Sequence, residues 1–179
     1  MHIAAVEGAN LNIVQYAALL HDIGRHAEAE SKGKVCHAEV GATMARAFLL
    51  RYALDSDVID AICHCIRTHR FRGSNIPTTL EAQVLFDADK LDAIGAVGIG
   101  RAFLFAGEVG AKLHNDPDRD IETTLPYTEE DTAYREYMVK LRKIKDVMQT
   151  TEGSRLAQER HFFMVSFFDH LDKEVRGLL

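Results

Sequence analysis

The chain has 179 residues, with 21 Lys and Arg against 27 Asp and Glu, a net charge of −6, and 47% hydrophobic residues. That length suits one domain, and so acidic a balance argues against sequence-independent binding to a nucleic-acid polymer. No apolar run approaches the roughly 20 residues of a membrane span, and no basic start precedes an apolar stretch as in a signal peptide. The three cysteines argue against a disulfide framework and for a reducing, cytoplasmic setting.

The hydrophobic pattern has a period near 3.6 throughout and no convincing alternation, so the chain reads as all-α. His2-Ile3-Ala4-Ala5-Val6 opens inside a helix with no start signal before it. A second helix runs from about Asn12 to Asp22, with Ile13, Ala17 and Leu20 as its inward stripe and Gly24 just past its end. A polar loop is expected from His26 to Val35. A third helix follows from His37 to Tyr52, with Val40, Met44, Ala47 and Phe48 inward. A fourth spans about Asp57 to His69, with Val58, Ile62 and Ile66 on one face, and a loop runs from Arg70 to Pro77.

Thr78-x-x-Glu81 has the form of a capping box. It opens a helix with the stripe Leu80, Val84, Ala88 and Leu91. Gly95, Gly98 and Gly100 then predict a bend or close backbone packing before a helix resumes from Arg101 to Glu108. The acidic stretch from Gly110 to Tyr127 is long enough to be a lid, a binding loop or disordered. Thr128-x-x-Asp131 starts a long helix with the stripe Ala133, Tyr137, Leu141, Ile144 and Met148. After a break at Thr150 to Gly153, the last helix carries Ala157, His161, Met164, Phe168, Leu171 and Val175. The organisation expected is a single domain over 1–179, with a core at 1–109 and a C-terminal helix pair at 128–179 packed on it.

Nine histidines are the unusual feature. His21-Asp22 sits where an apolar helix emerges at an edge, and burying an imidazole and a carboxylate there is costly unless they are paired or bind a cation. In Asp87-Ala88-Asp89-Lys90-Leu91-Asp92, Asp89 and Asp92 share a helix face and Asp87 points the other way. Three carboxylates so close repel one another. They form either a solvated acidic face or part of a cation site, and a mixed His/Asp set suits Mn²⁺, Fe²⁺, Co²⁺, Ni²⁺ or Zn²⁺. Cys63-His64-Cys65 fails as a zinc site because residues i and i+2 diverge on a helix and no second cluster has the required spacing. Arg25, Arg70, Arg72 and Arg101 flank the clusters and suit phosphate contact. Phosphate-binding Gly-rich loops, a dinucleotide fingerprint and a nucleophile elbow are all missing from the sequence.

Four stretches together carry a resemblance. Leu19-Leu20-His21-Asp22-Ile23-Gly24-Arg25, His37-Ala38-Glu39-Val40-Gly41-Ala42, Ile66-Arg67-Thr68-His69 and Asp87 to Ala96 resemble, in order and spacing, the HD-domain superfamily of metal-dependent phosphohydrolases. Lys140 to Met148, Ala157 to His161 and Phe163-Met164 are similar to its small stand-alone bacterial and archaeal branch. The resemblance implies an HD-domain helical bundle holding a divalent metal ion (Mn, Fe, Co, Ni, Mg or Zn). His21, Asp22 and Asp89 match metal ligands, and Lys90 matches a residue that meets substrate phosphate. His37 and His69 match histidines that bind a second metal or the phosphate.

The activity implied is hydrolysis of a phosphate ester or anhydride, with a nucleotide as the expected substrate. In it Lys90, Asp92 and His69 serve catalysis, and Arg25 and His37 hold the substrate. The alternative is a non-catalytic metal- or nucleotide-binding regulatory module. A ferritin-like redox protein is disfavoured, since no Glu is followed three residues later by His. The family's first ligand His falls upstream of Met1 and His2 does not take its place, so the expectation is a chain cut within its first helix whose remaining ligands bind metal more weakly. A homodimer is compatible with the apolar helix faces.

Overall fold

The computed structural model describes residues 1–70 and 75–179. Arg72 and part of the loop expected from Arg70 to Pro77 lie outside the described residues. Among the described residues there are helices and no strands. The chain divides into two compact units, Met1–Asp89 with Gln149–Gly153, and Lys90–Met148 with Ser154–Leu179.

The first unit contains α1 (His2–Glu7), α2 (Leu11–Leu20), α3 (Arg25–Glu30), α4 (His37–Leu49), α5 (Ser56–Thr68) and α6 (Leu80–Asp92), the last passing into the second unit at Lys90. Its core joins Ala17 of α2, Ala42, Ala45 and Leu49 of α4, Ile59, Ile62, Cys63 and Ile66 of α5, and Leu85 of α6. Each fully buried Ile or Leu contributes on the order of 1.5–3 kcal/mol of transfer free energy. Asn10 caps α2, its side chain accepting from the backbone N–H of Asn12 and Ile13.

Several expectations are revised here. The polar stretch after Gly24 contains the short helix α3. On α4 the buried face is Ala38, Ala42, Ala45 and Leu49, whereas Met44 and Phe48 are exposed. Small residues face inward because α5 packs closely there, and Phe48 instead meets Tyr52 at the surface with ring centroids 5.3 Å apart. The α6 cap lies one residue later than expected. Thr79 Oγ1 accepts from the Ala82 N–H, Thr78 Oγ1 bonds His64 Nε2, and Glu81 accepts from the Asn10 backbone N–H. Ala88 is exposed, and Ala82 and Phe86 join Val84 and Leu91 as buried residues.

The second unit contains α7 (Gly95–Glu108), α8 (Ala133–Val139) and the long α9, which spans Thr151–Val175 and lies in this unit from Ser154 on. The glycines at 95, 98 and 100 lie within α7. A Cβ on Gly98 would lie 2.2 Å from the Ala93 carbonyl oxygen, which is the close backbone packing expected there. The expected long helix from Thr128 is shorter. Thr132 supplies the cap, accepting from the Arg135 N–H, and the α-helix ends at Lys140, after which Leu141–Val147 is 3₁₀. Ala133, Tyr137, Leu141 and Ile144 are nonetheless all buried. Phe168 stacks on Tyr137 with centroids 4.3 Å apart.

The long acidic loop is pinned. Asn115 Nδ2 donates to the Glu130 carbonyl, and Arg135 reaches both the Thr124 hydroxyl and the Thr124 carbonyl while pairing with buried Asp131. No helix among the described residues is long and apolar enough to cross a membrane.

Candidate metal centre

Three helix ends in the first unit assemble the site. His21 and Asp22 occupy the tight turn that closes α2 and leads into α3, with the Arg25 N–H returning to the Asp22 carbonyl. His37 is the first residue of α4, and His69 is the first residue past α5. The pairing of α4 with α5 therefore brings a helix start and a helix end together. Gly24 allows this. A Cβ there would lie 2.3 Å from the His37 carbonyl oxygen and 2.8 Å from the Gly41 nitrogen, so the turn touches α4 backbone to backbone. The C-terminal ends of α2 and α5 also bring partial negative charge to the site, which favours a cation.

The donor atoms converge. His37 Nε2 and His69 Nε2 are 3.1 Å apart, and Asp22 Oδ1 lies 3.4 Å from the former and 3.8 Å from the latter. On the other carboxylate oxygen, His21 Nε2 is 3.5 Å from Asp22 Oδ2. With metal–nitrogen bonds near 2.0–2.1 Å, neighbouring ligand atoms on one ion sit roughly 3.0–3.5 Å apart, which these separations approach. Asp22, His37 and His69 form a group whose donor atoms all fall within 4.8 Å of one another.

The outer hydrogen bonds decide which face of each imidazole looks inward. His69 Nδ1 donates to the Ile66 carbonyl at 2.6 Å, and His21 Nδ1 donates to the Ala18 carbonyl at 2.8 Å. His37 Nδ1 contacts Glu28 Oε2 at 2.8 Å, a distance to a carboxylate that requires a proton on the nitrogen. Arg70 Nη1 lies 3.0 Å from the same nitrogen because it binds the other oxygen of Glu28. In its neutral form each ring therefore carries hydrogen on Nδ1 and a lone pair on Nε2, the arrangement in which histidines bind metal. Burial holds His37 and His69 neutral. His37 and His69 are each 1% exposed. Desolvation lowers the pKa of His37 and pushes that of His69 down to about 4. Nitrogen and carboxylate donors of this kind fit a divalent cation.

The remaining expected residues are placed as follows. Arg25 donates from Nε to Asp22 Oδ1 at 2.9 Å, so it rests on the inward-facing carboxylate oxygen. Asp89 is partly buried and interacts electrostatically with His69. Lys90 is partly buried in the second unit. Asp92 is exposed and ion-paired with Arg101. Asp87 is fully buried and takes no part in the donor set. It accepts from the Gln149 N–H, the Thr150 N–H and the Thr150 hydroxyl. Glu28 escaped the sequence reading. The i, i+3 pair Arg25–Glu28 hints at a helix turn, but nothing local reports its bond to a residue nine positions on.

Helix ends that present a His-Asp pair with two further buried histidines form a candidate cation site in a helical protein. The HD domain family matches residues 1–94, and the chain belongs to that family. It is 34% identical over 181 residues to the uncharacterized protein YpgQ of Bacillus subtilis, spanning 99% of this chain and 79% of that one. The crystal structure of YpgQ in complex with ADP superposes with a TM-score of 0.73 at 32% identity, covering 99% of this chain and 84% of that one. An HD-superfamily hydrolase from Bacillus thuringiensis gives a TM-score of 0.75 at 26% identity, covering 98% and 79%.

Proposed function

We propose that this chain is a metal-dependent phosphohydrolase that cleaves a phosphate ester or anhydride of a nucleotide. The observation that carries the reading is the convergence of Asp22, His37 and His69, with both histidine lone pairs turned inward by their outer hydrogen bonds. The relative crystallised with ADP supports a nucleotide as the ligand class, and the relative called an HD-superfamily hydrolase supports hydrolysis.

In this reading Asp22, His37 and His69 would hold a divalent cation, with His21 beside Asp22 and Asp89 added by the family resemblance. A divalent cation supplies Lewis acidity toward a phosphoryl oxygen and lowers the pKa of water in its coordination sphere. His37 and His69 stay neutral and keep their lone pairs, because burial opposes their protonation. Arg25, whose guanidinium rests on Asp22, would offer the same group to substrate phosphate. Lys90 meets the charge that develops on the phosphoryl oxygens. Asp92 orients the leaving group when released from Arg101. His37 and His69 are assigned first to the cation rather than to substrate or proton transfer.

A second reading, a regulatory module that binds nucleotide without turnover, is favoured by one contact, since Arg25 already neutralises the ligand carboxylate. The test is phosphate or pyrophosphate release from a panel of nucleotides with Mn²⁺, Co²⁺, Ni²⁺ and Mg²⁺, beside Asp22→Ala. Metal-dependent release abolished by the substitution supports the hydrolase. Nucleotide binding without release supports the module.

A further inference from the structure

We infer that Glu28 is a positioning residue for the metal centre, one that sets the tautomer of His37; the inference rests on the metal reading above. An imidazole offers a lone pair on Nε2 only while its proton resides on Nδ1, and the free ring in water favours the opposite form. Something must hold the proton on Nδ1. For His69 and His21 a backbone carbonyl of the preceding helix turn does so. His37 begins a helix and has no preceding turn, and its partner is instead a side chain, Glu28 Oε2 at 2.8 Å.

The carboxylate is itself held. Arg70 Nη1 binds Oε1, and Arg25 Nη1 stands 3.7 Å from Oε2. The two guanidinium groups fix the carboxylate in place, with Oε2 directed at His37 Nδ1. The helix that carries Glu28 has six residues and contributes no buried residue to the core. The Glu28 carboxylate serves a nitrogen that is completely enclosed.

The test uses metal-free protein with ¹⁵N-labelled histidine and reads two quantities. Long-range ¹H–¹⁵N spectra report the His37 tautomer, and the electron paramagnetic resonance signal of free Mn²⁺ reports affinity. Glu28→Ala should move the His37 proton to Nε2 and weaken Mn²⁺ binding by about 10- to 100-fold, the usual effect of losing such a partner. Glu28→Gln, whose carbonyl still accepts from Nδ1–H, should keep the tautomer and bind within about tenfold of the parent. Glu39→Gln, an exposed change on α4, should alter neither. An alanine variant that keeps hydrogen on Nδ1, or that binds Mn²⁺ as tightly as the parent, overturns the assignment of Glu28 and leaves the metal centre standing. A parent protein that takes up no Mn²⁺ overturns the metal reading, and this inference with it.

Discussion

His37 Nε2 and His69 Nε2 face each other across 3.1 Å, although the two residues are 32 positions apart and lie at the ends of different helices. Each ring donates its other N–H outward, to Glu28 and to the Ile66 carbonyl. Two lone pairs directed at one space, beside a carboxylate oxygen, are held together most favourably by a cation. His37→Ala and Asp22→Ala should each lose at least about tenfold in Mn²⁺ affinity by isothermal titration. Arg25→Gln should act in the opposite sense. It removes a competitor worth no more than about 1 kcal/mol at an exposed position, so Mn²⁺ binding should tighten by up to about fivefold while nucleotide KM rises.

Gly24 and Gly100 make a contrasting pair. A Cβ at Gly24 would lie 2.3 Å from the His37 carbonyl oxygen, whereas one at Gly100 would meet nothing within 4 Å. Gly24→Ala should force the His21–Asp22 turn off α4, lowering both Tm and metal affinity. Gly100→Ala lies inside α7 on an exposed face and should stabilise the fold by about 0.5–1 kcal/mol, through the lost chain entropy of glycine. Thermal unfolding of the two variants checks the opposite signs.

Asp87 is a buried latch for the segment Gln149–Gly153, accepting from two backbone N–H groups and one hydroxyl. In Asp87→Asn the amide NH₂ would face donors and leave them unpaired. A loss of about 1–3 kcal/mol in urea unfolding is expected. Gly153→Ala should fail at the same place, because its Cβ would fall 2.1 Å from Asp87 Oδ2. Isosteric Asp87→Asn leaves the packing volume intact, so its loss reports the polar contacts.

The thiols separate by burial. Cys63 and Cys65 are buried and Cys36 is half-buried, and burial pushes the Cys65 thiol from an ordinary 9.0 up to about 12. Since the thiolate is the reactive form, native protein should titrate one thiol readily with a disulfide reagent and three after unfolding. The raised pKa also gives a stability slope. The neutral thiol is kept in the fold and released as thiolate only in the unfolded chain. Its stabilising contribution is therefore complete below pH 9 and is lost as pH rises toward 12. The urea midpoint of Cys65→Ala, compared with the parent, should fall less steeply over that range.

Helices as such were legible in the sequence, because the 3.6-residue period is a local property of burial. So was the His21–Asp22 pair, which sits where an apolar helix runs out. The inward face of α4 was not legible. Met44 and Phe48 are among its most apolar residues, yet the face turned to α5 is Ala38, Ala42 and Ala45, with Leu49 as its one large apolar side chain. The caps of α6 and α8 each moved past the first Thr of the apparent box. Glu81 was drawn to the Asn10 N–H, 71 positions away, and Asp131 to the Tyr127 N–H and Arg135, each four positions along the chain.

By itself the sequence determined an all-α chain of the HD type, with histidines and aspartates at spacings that suit a cation, since motif order and helical periodicity are written along the backbone. The tertiary structure alone decided which donors meet. Asp22, His37 and His69 come together because α4 and α5 pack side by side, the start of one beside the end of the other, and Gly24 lets the α2 turn touch α4. It also decided which nitrogen of each ring looks inward. An imidazole has two, and only the neighbour that takes the outer proton, Glu28 for His37 and a helix carbonyl for His69, tells them apart.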